Sequence, residues 1–119
     1  MGYKSGKIYN LNSNEVLFSQ SVCPEGFLAR LRGLQWRAEL NEDQAWWFRS
    51  CNSVHTFGMK FSLDVIHLSD NGMIIKIDEH IKKRRISFSS KGSTVVEIKA
   101  GLAASKGLKC GIFLGWSNA

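Results

Sequence analysis

Hydrophobic and polar residues alternate along much of this chain with the two-residue period of β-strands. Lys7-Ile8-Tyr9-Asn10-Leu11 alternates and predicts a short strand, and Glu15 to Val22 predicts a second. Asn12-Ser13-Asn14 between them is a cluster of turn formers, so an N-terminal hairpin is expected. Pro24, the one proline, stands where a helix could begin, with Glu25 in its first turn. Phe27, Leu28, Leu31 and Leu34 then recur at helical spacing and Gly33 can close the last turn, which predicts one short helix over 24–32.

Ala45-Trp46-Trp47-Phe48 has the composition of a strand. From Phe57 to His67 the positions Phe57, Met59, Phe61, Leu63, Val65 and His67 share one face. The other face is polar until Ile66 and Leu68, so this strand is expected to become buried on both sides towards its end. Asp70-Asn71-Gly72 is the strongest hairpin signal, with Met73 to Ile77 as the returning strand. Further strands are predicted at Ser93–Lys99 and at Ile112-Phe113-Leu114, with a helical turn at Leu102–Lys106 closed by Gly107. Short strands at close spacing with little helix predict a mainly β fold: one sandwich-like domain over 1–119, jelly-roll-like or barrel-like, with one or two short helices.

Composition narrows the class without naming a function. The 119 residues are 44% hydrophobic and 22% charged, which excludes a disordered tail, a collagen-like chain and a coiled-coil rod. No apolar stretch approaches the ~18 residues of a membrane span, and the charged N-terminus leads into no signal-like apolar run. Cys23, Cys51 and Cys110 are odd in number and widely spaced, without a C-x-x-C pair. Reduced thiols in a cytoplasmic protein are the expectation.

Three segments carry more than composition. They are Arg30-Leu31-Arg32-Gly33-Leu34, the run Cys51-Asn52-Ser53-Val54-His55-Thr56-Phe57-Gly58-Met59-Lys60-Phe61-Ser62-Leu63-Asp64-Val65-Ile66, and Val95-Val96-Glu97-Ile98-Lys99-Ala100-Gly101 followed by Gly107 and Gly111. In this order and spacing they resemble the domain of unknown function 192 family, over roughly residues 25–115. The resemblance implies a compact, mainly β sandwich-like fold with one or two short helices, and it implies no activity. Relatives commonly carry proline where this chain has Ser62 and Lys99, and near Lys82-Lys83, so the basic stretch there is particular to this protein.

Cys51, His55 and Met59 are four residues apart and together offer soft ligands of the kind that suit Cu(I). No C-x-x-C or H-x-x-x-H spacing supports them, so neither metal nor cofactor is expected. Cys51 and His55 could instead act as nucleophile and base with Asp64 orienting the imidazole, a hydrolase-type arrangement. The competing role for Asp64 is structural: a carboxylate between Leu63 and Val65-Ile66 must be met by backbone N–H groups or an arginine.

The net charge of +6, from 16 basic and 10 acidic residues, owes much to Lys82-Lys83-Arg84-Arg85. That run could touch nucleic acid or another anionic surface. It could equally be a solvated hairpin whose lysines deter edge pairing. Only Phe88 lies near it as a ring, so the stacking platform of a single-strand binder is missing and a nucleic-acid partner is disfavoured. Adjacent Trp46 and Trp47 must point to opposite faces of a strand, so one is expected to be exposed or to line a groove. With Arg49, His55 and Met59 they form the expected binding surface, for an unknown small molecule or protein. The sequence is thus read first as a small non-enzymatic binding or accessory module with a Trp/His/Cys-lined groove. A hydrolase using Cys51 or His55 with Asp64 is the alternative, and a weak binder of nucleic acid or anionic surfaces through 82–85 the third reading.

Overall fold

The alternating N-terminal segment folds as expected. Strand β1 (Tyr3–Asn10) pairs antiparallel with β2 (Glu15–Pro24), through a turn in which Asn10 Oδ1 accepts from the N–H groups of Asn12 (2.8 Å) and Ser13 (3.3 Å). Gly6 is required within this hairpin, because a Cβ there would collide with the Trp116 ring and the Ser117 carbonyl of the neighbouring strand. The structure, a computed structural model, describes residues 3–25, 39–55, 61–82 and 85–119. Pro24 closes β2 opposite Tyr3 instead of opening a helix. The rest of the helix expected at 24–32 lies outside the described residues.

Among the described residues six strands follow: β3 (Gln44–Arg49), β4 (Ser53–His55), β5 (Leu63–Leu68), β6 (Ile74–Ile81), β7 (Ile86–Phe88) and β8 (Thr94–Lys99). A short helical turn, α1 (Leu102–Ser105), and β9 (Leu114–Asn118) come after them. Seven strands form one sheet in the order β6-β5-β8-β3-β2-β1-β9, and β4 and β7 form a two-stranded sheet. All pairs are antiparallel except β2 with β3. The expected Asp70-Asn71-Gly72 hairpin joins β5 to β6: Gly72 sits at φ 90°, where a side chain would be strained, and its N–H donates to the Ser69 carbonyl at 3.0 Å.

Two boundaries differ from the sequence expectation. Of the strand expected from Phe57, residues 57–60 lie outside the described residues, and its described part begins at Leu63, after Phe61 and Ser62. The last strand starts at Leu114, not at Ile112, because Gly111 (φ 99°) and a bond from Ile112 N–H to the Lys109 carbonyl (3.2 Å) hold that segment in a turn. Phe113 forms only an isolated bridge to Met73. That bridge is where the edge strands β6 and β9 approach, and the barrel-like variant of the expected fold is corrected here. β9 continues along β1 while β6 continues along β5, so the sheet curls without closing.

Pleating splits the apolar residues between two cores. On one face Phe18, Trp47, Ile66, Val96 and Ile98 pack with Leu102 and Ala103 of α1. On the other, Trp46, Phe48, Leu63, Val65 and Val95 pack with Leu40, and Cys51, Val54 and Phe61 lean against them. The β4/β7 sheet contributes to this second layer, which gives the molecule its sandwich-like character. All six residues of β5 are buried, the both-sided burial expected from its pattern. No helix among the described residues is long and apolar enough to cross a membrane.

Asp64 lies on the first face, fully buried. Its Oδ1 accepts from His80 N–H at 2.9 Å, and its Oδ2 from Gly101 N–H at 3.0 Å and Ala103 N–H at 2.9 Å. One side chain thereby joins the end of β6, the turn after β8 and the first turn of α1. It also satisfies two N–H groups at the start of a helix that has no side-chain cap of its own. His80 is held at φ 52°, uncommon for a residue with a side chain, and Gly101 at φ 93°, which glycine adopts without strain. Asp64→Ala leaves three backbone donors, one of them fully buried, without their acceptor, and we expect it to cost about 3 kcal/mol in urea unfolding. Asp64→Asn, which keeps one accepting oxygen, is expected to fall between the two.

Candidate functional site

The strand ends opposite Asp64 open into a cleft of roughly 550 Å³. Arg49, Ser50, Cys51 and Asn52 leave β3 along one side, and Gly92, Ser93 and Thr94 enter β8 along the other. Asp70, from the β5–β6 turn, and Trp47 complete the lining. Backbone bonds fix this rim: Cys51 N–H to the Ser93 carbonyl (3.0 Å), Ser93 N–H to the Leu68 carbonyl (2.8 Å) and Ser89 N–H to the Asn52 carbonyl (3.0 Å). Ser50 is held at φ 52°, a left-handed conformation uncommon for a residue with a side chain.

Trp47 lines the cleft, but its ring packs in the first core against Trp116 with centroids 5.9 Å apart, and its indole N–H is buried there without an acceptor among the described residues. Arg49 is exposed at the rim and makes no ion pair among the described residues. The Cys51 thiol donates to the Ser53 carbonyl at 3.1 Å.

Of the residues singled out in the sequence, Trp47, Arg49 and Cys51 therefore meet in one cleft. Trp46 does not join them. It faces the second core, edge-on to Tyr3 (5.6 Å) and tilted against Phe48 (5.9 Å). The expectation of an exposed tryptophan is corrected: β3 lies between β2 and β8 with both faces covered, so Trp46 is 2% and Trp47 7% exposed. Asp64 is not brought to Cys51. It points to the opposite face from Leu63 and Val65, whose cluster Cys51 packs against, and both its oxygens are engaged. The backbone of His55 pairs with Ile86, and its side chain, like Met59, Lys83 and Arg84, lies outside the described residues. Lys82 and Arg85 are exposed. No three His, Cys, Asp or Glu side chains converge as a metal site among the described residues.

Two buried ionisable groups were not among the candidate site residues read from the sequence. His67 is fully buried, with Nε2 2.6 Å from Ser87 Oγ, which in turn donates to Asp78 Oδ2 at 2.5 Å. A carboxylate only accepts, so Ser87 gives its single proton to Asp78 and His67 Nε2 donates to Ser87. The other ring nitrogen, Nδ1, then carries a lone pair with no partner. Burial lowers the His67 pKa; the Asp78 carboxylate opposes that shift and the Lys76 ammonium adds to it. The chain of bonds is what clamps β7 of the small sheet to β5 and β6 of the large one.

Glu97 sits on β8 between Trp46 of β3 and Val65 of β5, only 5% exposed. Burial pushes its carboxyl from an ordinary 4.5 up to about 8, so it is a neutral acid at pH 7. Its position alternates correctly with Val96 and Ile98, so the strand pattern gave its face. Nothing local showed that this face would be covered.

Comparison with known proteins follows the fold. The model of the family DUF192, described as an uncharacterized ACR, matches residues 10–116. No curated protein matches the chain. Two solved structures are similar throughout. One is a protein of unknown function from Novosphingobium aromaticivorans DSM 12444, with TM-score 0.79 and 19% identity over 94% of this chain and 84% of that one. The other, from Sinorhizobium meliloti 1021, is described as a "putative transcription regulator"; it has TM-score 0.76 and 18% identity over 96% of this chain and 93% of that one. At such identities the likeness is one of fold.

The two buried groups act on stability with opposite sign. Glu97 has a raised pKa in the folded chain, so its contribution is complete below pH 4.5 and is lost as pH rises through about 8. His67 has a lowered one, so its contribution is present above its ordinary 6.5 and is lost as pH falls through the folded value. We expect Glu97→Gln to flatten the decline between pH 4.5 and about 8 and to raise alkaline stability. The gain should be on the order of a few kcal/mol at most, read from urea unfolding at a series of pH values.

Proposed function

The chain belongs to the DUF192 family, and within that fold we propose a small binding module whose ligand is a small polar molecule with an anionic group, seated in the cleft at the ends of β3 and β8. The observation that carries this reading is Arg49, exposed at the rim of a cleft lined by hydroxyl and amide groups. Its guanidinium supplies the charge that an anion needs. The volume is in the range of ordinary small-molecule sites. Hydroxyls of Ser50, Ser93 and Thr94 and the Asn52 amide add the few polar groups that orient a ligand in such sites. Asp70 opposes a second negative charge at its end of the cleft and favours a ligand that places a donor there.

Binding is the reading preferred over catalysis because the thiol of Cys51 is engaged by the Ser53 carbonyl and Asp64 is engaged elsewhere. The test is a titration with a panel of small carboxylates and phosphate esters, followed by amide chemical shifts. Binding in the cleft moves the amides of Ser50–Asn52 and Gly92–Thr94. Arg49→Ala should weaken it about tenfold or more. Shifts confined to other residues, or affinity unchanged in Arg49→Ala, would overturn the assignment.

A further inference from the structure

The small sheet presents a second surface, independent of the cleft. In β7 Ser87 turns inward to His67 and Asp78, so Ile86 and Phe88 on either side of it turn outward. Ile86 is 69% exposed, the most of any large apolar residue described, and Phe88 is 49% exposed. Cations flank the pair in sequence: Arg85 precedes Ile86, Lys82 follows the end of β6 and Lys91 comes three residues after Phe88, all exposed, while the Lys76 ammonium is held on the Phe88 carbonyl at 2.6 Å. Of the two carboxylates of β6, Asp78 is bonded by Ser87 and Lys76, and the exposed Glu79 offsets part of this charge.

We propose that β7 is a membrane-contact edge, which lays Ile86 and Phe88 into the interfacial layer of an anionic phospholipid bilayer while Lys76, Lys82, Arg85 and Lys91 meet the headgroups. Two apolar side chains between cations are the combination that interfacial binding uses, burial plus attraction to anionic lipid. Scale favours this occupant over a protein. Two outward side chains on a three-residue strand offer on the order of a few hundred Å² of surface at most, well short of the ~800 Å² per partner of a stable protein interface, whereas a bilayer sets no minimum footprint. Ile86, the most exposed of the pair, offers no ring for a base to stack on, which disfavours single-stranded nucleic acid.

The full chain would be sedimented with vesicles of phosphatidylcholine alone and of phosphatidylcholine with about 30 mol% phosphatidylserine, at about 0.1 M salt. We expect partition onto the anionic vesicles at least about fivefold above the neutral ones, falling as salt rises. Arg85→Glu and the double variant Ile86→Ser/Phe88→Ser should each lower it about fivefold or more, with far-ultraviolet dichroism unchanged. Lys7→Glu, on β1 at the far side of the large sheet, makes the same change in net charge and should have no such effect. Equal partition onto both vesicles, loss in Lys7→Glu as large as in Arg85→Glu, or retention by a single-stranded oligonucleotide without vesicle binding would each overturn the proposal.

Discussion

A carboxylate placed in a strand that is covered on both faces has to be met by donors, or the fold forfeits more than it gains by burying the strand's neighbours. Asp64 is met by three backbone N–H groups from two separate stretches of chain, the end of β6 and the turn from β8 into α1. Each of those stretches carries a consequence. His80 fixes where β6 stops, Gly101 fixes the left-handed exit from β8, and Ala103 fixes the start of α1, whose Leu102 and Ala103 close the first core. β5, β6 and β8 are adjacent in the sheet, so one side chain sets the relative position of their ends.

With one end of these strands pinned, their other ends are free to carry loops. The cleft forms there, from the exit of β3, the entrance of β8 and the turn between β5 and β6. The two ends differ in kind: backbone N–H groups are bound by Asp64 at one, and at the other Arg49 stands exposed at the rim, with no ion pair among the described residues. The second face is organised by a different polar contact, the Asp78–Ser87–His67 series, which holds the small sheet down and thereby forces Ile86 and Phe88 outward. Polar bonds inside the fold thus decide what is presented outside it.

Local signals explain what the sequence revealed of the fold. Turn chemistry at Asn12-Ser13-Asn14 and Asp70-Asn71-Gly72 needs no distant partner, so both hairpins were legible. The doubly apolar run at the end of β5 was legible for the same reason. The end of the chain was misjudged because Gly111 takes a left-handed conformation that only the surrounding turn requires. At the candidate site the residue types were legible and their grouping was not. Trp47, Arg49 and Cys51 were singled out and do share a cleft, while Trp46, equally conspicuous, is sealed between Tyr3 and Phe48. Glu97 carried no signal, since a polar residue in an alternating strand ordinarily faces water, whereas His67 stood on a face expected to be buried and only its Ser87 and Asp78 partners were not legible.

The sequence by itself determined a mainly β chain of one family, its two hairpins and the need for Asp64 to be satisfied. All three follow from interactions between near neighbours or from the burial of a strand written into its own pattern. The tertiary structure alone decided which faces of β3 and β8 would be covered and which N–H groups would reach Asp64. It also brought the exits of β3 and β8 together into a cleft. Those outcomes depend on strand order, and strand order places β8 beside both β3 and β5, tens of residues away along the chain. Pleat periodicity tells which residues share a face; only the neighbours that a strand acquires can tell whether that face meets water.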